Sequence, residues 1–211
     1  LHQMAPHRLT AAAGMPEYPR FIAAQPGFHA AQVADPFLVA RHLGQGLQQR
    51  AGAQGDMAAA RPDLSGKAIL ITGTSSGFGK LASEHFARLG ATVFATMRNT
   101  PRPEAEDLEK LARDEKLDIR VHQLDVLLDD EVEKAVADAE QEIGRGLDVL
   151  VNNAGIGITG PVEVQDMEAT KLAFDTNVLG YHRLSRAVLP GMRARKQGHL
   201  FAISSQLGRV I

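Results

Sequence analysis

A chain of 211 residues, 44% hydrophobic, 23% charged and with a formal net charge of −2, has the make-up of one ordinary globular domain. There is no basic excess to suggest nucleic acid and no apolar run that approaches a membrane span. The lack of cysteine excludes disulfides, thiol catalysis and Cys-ligated metals; it fits a reducing compartment, so the expected location is cytoplasmic and no metal site is expected.

From Leu1 to Asp56 the sequence consists of Ala, Gln, Gly, His and Pro with scattered apolar residues, and neither helical nor strand periodicity persists. Its arginines (Arg8, Arg20, Arg41, Arg50) come without lysine, whereas every lysine lies from Lys67 onward. A signal peptide would need a basic start and a continuous apolar core, and a transit peptide would be Ser-rich and acid-poor. This segment has no Ser and carries Glu17, Asp35 and Asp56. Residues 1–56 are expected to be a disordered or non-native extension, with Met57 as the natural start and one folded domain over 57–211. The other reading of 1–56 is an interaction segment of the native product.

The stretch Ile69 to Gly79 turns an apolar run into a glycine-rich loop and then a helical pattern, expected over Phe78 to Leu89. Glycines let the backbone approach a ligand closely, and the helix start directs free N–H groups and a positive dipole end at it. An anion fits there, a dinucleotide pyrophosphate best. The order of Gly73, Gly77 and Gly79 departs from the general G-x-G-x-x-G fingerprint. Instead, Thr72-Gly73-x-x-x-Gly77-x-Gly79 resembles the cofactor loop of the short-chain dehydrogenase/reductase family. That resemblance implies cofactor contacts from Thr72, Gly73, Ser75, Ser76, Gly77, Phe78 and Gly79.

Ala91 to Met97 is β-branched and apolar enough for a buried second strand. In a dinucleotide fold a carboxylate at its end selects NAD, whereas an Arg accepts the 2′-phosphate of NADP. Here the sequence reads Thr96-Met97-Arg98-Asn99, without an acid. Arg98 alone could be a solvated loop residue; within the family context it favours NADP(H) over NAD(H). Pro103 to Lys116 reads as an exposed amphipathic helix and Asp118 to Leu124 as a third strand. Leu124-Asp125-Val126 resembles the family segment in which the acid meets the adenine amino group and the next residue packs on the ring. By itself Asp125 is equally a helix cap.

A helix is expected from Asp129 to Ile143 and a continuous apolar strand from Leu147 to Val151. Asn152-Asn153-Ala154-Gly155 then resembles a family signature that holds the central sheet and lines the nicotinamide side of the groove. The implied contacts are Asn153, Ala154 and Gly155, although paired asparagines also serve unpaired backbone at a strand end. Ile156 to Val164 reads as a loop, followed by a helix from Asp166 to Lys196 that Asn177 interrupts. The interruption is a packing kink or, as the resemblance implies, an active-site residue that positions a water in the proton relay. Gly198 to Ser204 supplies a fifth strand, and Ser204-Ser205-x-x-Gly208 aligns Ser205 with the family's catalytic serine. Read without the family, the two serines are turn formers.

The family next requires a Tyr with a Lys four residues later. The tyrosines here, Tyr18 and Tyr181, have Ile22 and Ser185 at that position. The expectation is therefore an α/β, three-layer doubly wound Rossmann sheet of order 3-2-1-4-5 with its last strands missing. It would be an inactive fragment of an NADP(H)-dependent oxidoreductase acting on small-molecule carbonyl/alcohol substrates, itself a homodimer or homotetramer in full. The alternative is a non-catalytic nucleotide-binding or regulatory protein of the same fold. Gly160-Pro161-Val162-Glu163 and Thr-Met-Arg resemble members acting on steroid- or retinoid-like alcohols, and equally many bacterial reductases.

Overall fold

The computed structural model describes residues 62–205. The expected extension over 1–56, the start at Met57 and Gly208 lie outside the described residues.

Short β-branched and apolar runs form five strands: β1 (Ala68–Thr72), β2 (Thr92–Met97), β3 (Ile119–Gln123), β4 (Val149–Asn152) and β5 (His199–Ala202). All pair in parallel, in the order β3-β2-β1-β4-β5 that the strand and helix alternation predicts. Between them lie α1 (Gly77–Arg88), α2 (Pro103–Glu115), α3 (Asp129–Ile143), α4 (Met167–Phe174) and α5 (Gly180–Ala194). The predicted α3 has the observed bounds; β1 starts one residue before the expected Ile69 and β4 starts two after the expected Leu147. The predicted loop over Ile156 to Val164 contains a 3-10 turn at Val162–Val164.

The strand period of two divides the central side chains between the two faces of the sheet. Ile69 and Ile71 pack with Phe86 of α1 and Leu108 of α2, whereas Leu70 packs with Val136 of α3 and with Leu184 and Val188 of α5. This is the three-layer arrangement of a doubly wound sheet. Between β1 and β4 the strand order reverses, and at such a switch point the carboxyl ends of open α/β sheets leave a crevice for ligands.

Asn177 does interrupt a helix. α4 passes through a π turn at Asp175–Leu179 before α5 begins. The extra residue in such a turn alters which side chains face the sheet, and π turns are frequent at functional sites.

Candidate active site

β1 delivers the chain into the glycine turn at the switch point. Gly73 has φ +70°, and a Cβ there would lie 2.9 Å from Ala154 Cα; a Cβ on Gly79 would lie 2.6 Å from Asn153 Nδ2. The segment after β4 therefore presses on the turn and excludes side chains from it. Gly77 has φ +57° and open space around it, so its requirement is conformational. Ser76 caps α1 without a side-chain cap bond, and the first turn of α1 carries no acid. By contrast α2, α3 and α4 begin with Glu104, with Asp129 and with Glu168, which complement their dipoles. The N-terminus of α1 therefore opens on the glycine turn with no acid of its own to meet its dipole.

A cleft of about 280 Å³ opens over this turn. Its wall includes Gly73, Ser75 and Ser76 of the turn, Arg98 after β2, Asp125 and Val126 after β3, and Asn153, Ala154 and Gly155 after β4. Nine of the residues expected at the cofactor thus share one cavity. Thr72, Gly77, Phe78, Gly79, Asn177 and Ser205 are not on its wall.

Thr72 is 1% exposed, and its hydroxyl accepts hydrogen bonds from the N–H groups of Asn153 (3.0 Å) and Ala154 (2.9 Å). It shapes the site from behind, holding the start of the segment after β4 against the turn. Gly79 is buried under the turn, Phe78 is half-buried and Gly77 is exposed. Asn153 Nδ2 donates to the carbonyls of Thr72 (2.9 Å) and Gly73 (3.1 Å), so this asparagine clamps the turn and lines the cleft together.

Asn177 Oδ1 accepts from the Ile156 N–H at 2.9 Å, and its Nδ2 donates to the Ile156 carbonyl at 2.7 Å. The side chain expected to position a water is engaged by the loop that walls the cleft, with one amide proton and one lone pair remaining. Asp125 accepts from Leu127 N–H at 3.0 Å, closing a local turn; the residue capping α3 is Leu128, so Asp125 is not the helix cap its sequence position also suggested. Ser204 and Ser205 are exposed just past β5, at the sheet's carboxyl edge.

Sequence reasoning missed Arg102, Ile156 and Thr176, which also line the cleft. Arg102 precedes Pro103 at the start of α2; its Nε and one terminal nitrogen donate to Glu104 (2.8 and 3.0 Å), and the other donates to the Arg98 carbonyl (3.3 Å). An Arg just ahead of an N1 proline, four residues after Arg98, is the signal that was available. Glu104 in turn is drawn down to about 2, chiefly by its hydrogen bonds from Arg102. Gly180 was legible only as a poor helix former; a Cβ there would lie 3.0 Å from Val126, so the glycine seats a cleft residue against α5.

Comparison with known proteins agrees with this geometry. The chain is 42% identical over 147 residues to "Retinol dehydrogenase 8" of Homo sapiens, covering 67% of this chain and 45% of that protein. It is 40% identical over 151 residues to "D-beta-hydroxybutyrate dehydrogenase, mitochondrial" of Mus musculus, covering 69% and 43%. The chain thus spans less than half the length of these relatives. Among solved structures, a short-chain dehydrogenase from Streptomyces avermitilis superposes with TM-score 0.62 at 36% identity, covering 69% of this chain and 51% of that one. A gluconate 5-dehydrogenase from Burkholderia cenocepacia, in complex with NADP and tartrate, gives TM-score 0.60 at 30% identity, covering 65% and 53%. The family model for short chain dehydrogenase matches residues 67–211, which include the glycine turn, the cleft and the strand leading to Ser205. On this match, and on the parallel sheet and cleft that accompany it, the chain belongs to the short-chain dehydrogenase family of oxidoreductases.

Proposed function

We propose that the natural protein containing this chain is an NADP(H)-dependent oxidoreductase that transfers hydride between nicotinamide and a carbonyl or alcohol carbon. The observation that carries this reading is the cleft itself: a glycine cradle with no room for a Cβ at Gly73 or Gly79, set against a helix start free of acids. A dinucleotide fits such a wall, and when bound it supplies the hydride. Gly73, Ser75 and Ser76 would hold the pyrophosphate with backbone and hydroxyl donors. Arg98, with Arg102 beside it, would take the 2′-phosphate through charge-assisted hydrogen bonds. Asp125 and Val126 would receive the adenine, and Ala154 and Gly155 would wall the groove. Ser205 would hydrogen-bond the reacting oxygen, while Asn177 keeps the Ile156 loop in place. No Tyr-x-x-x-Lys occurs in the 211 residues, so the acid/base pair has no candidate among them.

The substrate class we propose is a small carbonyl or alcohol compound, as the names of the relatives suggest. The same names include a retinol and a hydroxy-acid dehydrogenase, so all-trans-retinal and acetoacetate are the first probes. We also expect a homodimer or homotetramer, because Val162, Met167 and Phe174 are 82%, 63% and 58% exposed near α4.

The test is fluorescence titration of the natural full-length protein with NADPH and NADH. Wild type is expected to favour NADPH by at least about 10-fold and Arg98→Ala to erase that preference, the size of one charge-assisted contact. Equal affinity for both cofactors in wild type, or an unchanged preference in the variant, refutes the NADP reading. With a turned-over carbonyl compound, Ser205→Ala should lower kcat by about 100-fold, as loss of one donor to a reacting oxygen does.

A further inference from the structure

Asn177 and Tyr181 are four residues apart, one in the π turn and the other at the start of α5. Asn177 ties down Ile156, in the segment that leaves β4. Tyr181 does the corresponding thing after β5: its hydroxyl donates to the carbonyl of Ile203 at 3.0 Å. The β4–β5 register ends at Asn152 opposite Ala202, so Ile203 is the first residue beyond it. Its N–H donates to the Asn152 carbonyl at 2.9 Å. Both sides of this one residue are therefore fixed, by the neighbouring strand and by the helix layer. Ser204 and Ser205 follow directly.

The location makes the phenol's bond matter. β5 is the outermost strand of the sheet among the described residues, with β4 its partner on one side. β4 holds its carboxyl end from one side, and Tyr181 adds a tie from a different layer. The phenol is partly buried, and burial pushes its ionisation up to about 12, so it remains a donor throughout the physiological range. A carbonyl acceptor can be met only by a donor, and no other side-chain bond reaches Ile203 among those described.

We infer that Tyr181 is a positioning residue for Ser205: by fixing the Ile203 carbonyl it sets where the serine hydroxyl meets the reacting oxygen. This rests on the reading of Ser205 in the proposed function. Tyr181 acts through the strand end and touches neither cofactor nor substrate.

The experiment uses the natural full-length protein and Tyr181→Phe, which removes the hydroxyl and keeps the ring. Hydrogen–deuterium exchange of the apo protein is expected to rise several-fold over residues 203–205 and to stay unchanged over β4, a readout that needs no turnover. With NADPH and the carbonyl compound turned over best, kcat should fall about 10-fold at unchanged KM for NADPH, within the about 100-fold that a 1 Å misplacement costs. In the Ser205→Ala background, Tyr181→Phe should then have no further effect on kcat. If Ser205→Ala leaves kcat unchanged, the proposed function fails at the serine, whatever Tyr181 does. If Ser205→Ala is impaired but Tyr181→Phe changes neither exchange nor kcat, or lowers kcat equally in both backgrounds, the positioning role is overturned. Should Tyr181→Phe fail to bind NADPH, Tyr181→Met, whose adaptable side chain fills the same space, is measured in its place against the same outcomes.

Discussion

Asp148, at the end of the sheet opposite the cleft, allows the sharpest test of how the central strands are held. Its side chain is 6% exposed. One carboxylate oxygen accepts from the Ala68 N–H (2.9 Å) and from Arg145 (2.7 Å), and the other accepts from Arg195 (3.1 Å). Asp148→Asn keeps the shape, and its amide oxygen can serve Ala68 and Arg145. The amide nitrogen then faces the Arg195 guanidinium, donor against donor, with two cations left uncompensated. Breaking a buried ion pair costs about 3–5 kcal/mol. Arg145 and Arg195 retain 36% and 25% exposure, so water screens part of that, and we expect about 2–3 kcal/mol here. At about 2–4 °C per kcal/mol for a chain of this size, the melting temperature should fall by about 5–10 °C. The pH dependence supplies a second check. Burial opposes the charge of Asp148, but the Ala68 N–H, Arg145 and Arg195 outweigh it and hold its carboxyl below the usual carboxylate range. A depressed folded value makes the stabilisation complete above the unfolded value of about 3.9 and lost as pH falls through the folded one. Thermal melts of wild type and variant should therefore differ fully at neutral pH and converge in acid. A shift under about 2 °C at neutral pH, or a gap that persists at the acid end, would refute the argument.

Thr72→Val removes the acceptor for two N–H groups while preserving shape, so chemical denaturation should show a loss of about 2–4 kcal/mol, with far smaller losses contradicting the role assigned to the hydroxyl. Gly79→Ala would drive a methyl into the Gly73 carbonyl and Asn153; NADPH titration should show at least about 10-fold weaker binding. Unchanged affinity would mean that the turn adjusts without disturbing the cradle. The apolar side chains exposed on β5 and around α4, among them Leu200 at 42% and Phe174 at 58%, predict concentration-dependent association of the 211-residue chain by light scattering. A monodisperse monomer at high concentration would contradict this.

Much of the architecture was legible because its determinants are local. The apolar runs ending in Thr72, Met97 and Asn152 mark parallel strands, and the helices between them impose the crossovers, so the order of the sheet follows. Asn177 and Gly180 stood out as poor helix formers, and the structure places a π turn there with Gly180 against Val126. Arg102 was missed because its neighbours in sequence read as an ordinary helix start. Its place on the cleft wall depends on how α2 leaves β2.

By itself, the sequence determined the strand and helix alternation, the positions that had to be glycine and the motifs that identify the family, since periodicity and backbone sterics act over a few residues. Only the tertiary structure decided how the polar side chains are used. Thr72 serves the N–H groups of residues 81 and 82 positions away, Asn177 clasps a backbone 21 positions away, and Tyr181 reaches one 22 positions away. A buried hydrogen-bonding group must be satisfied by whatever the fold brings within about 3 Å. That partner is chosen by the packing of layers, which no local pattern records.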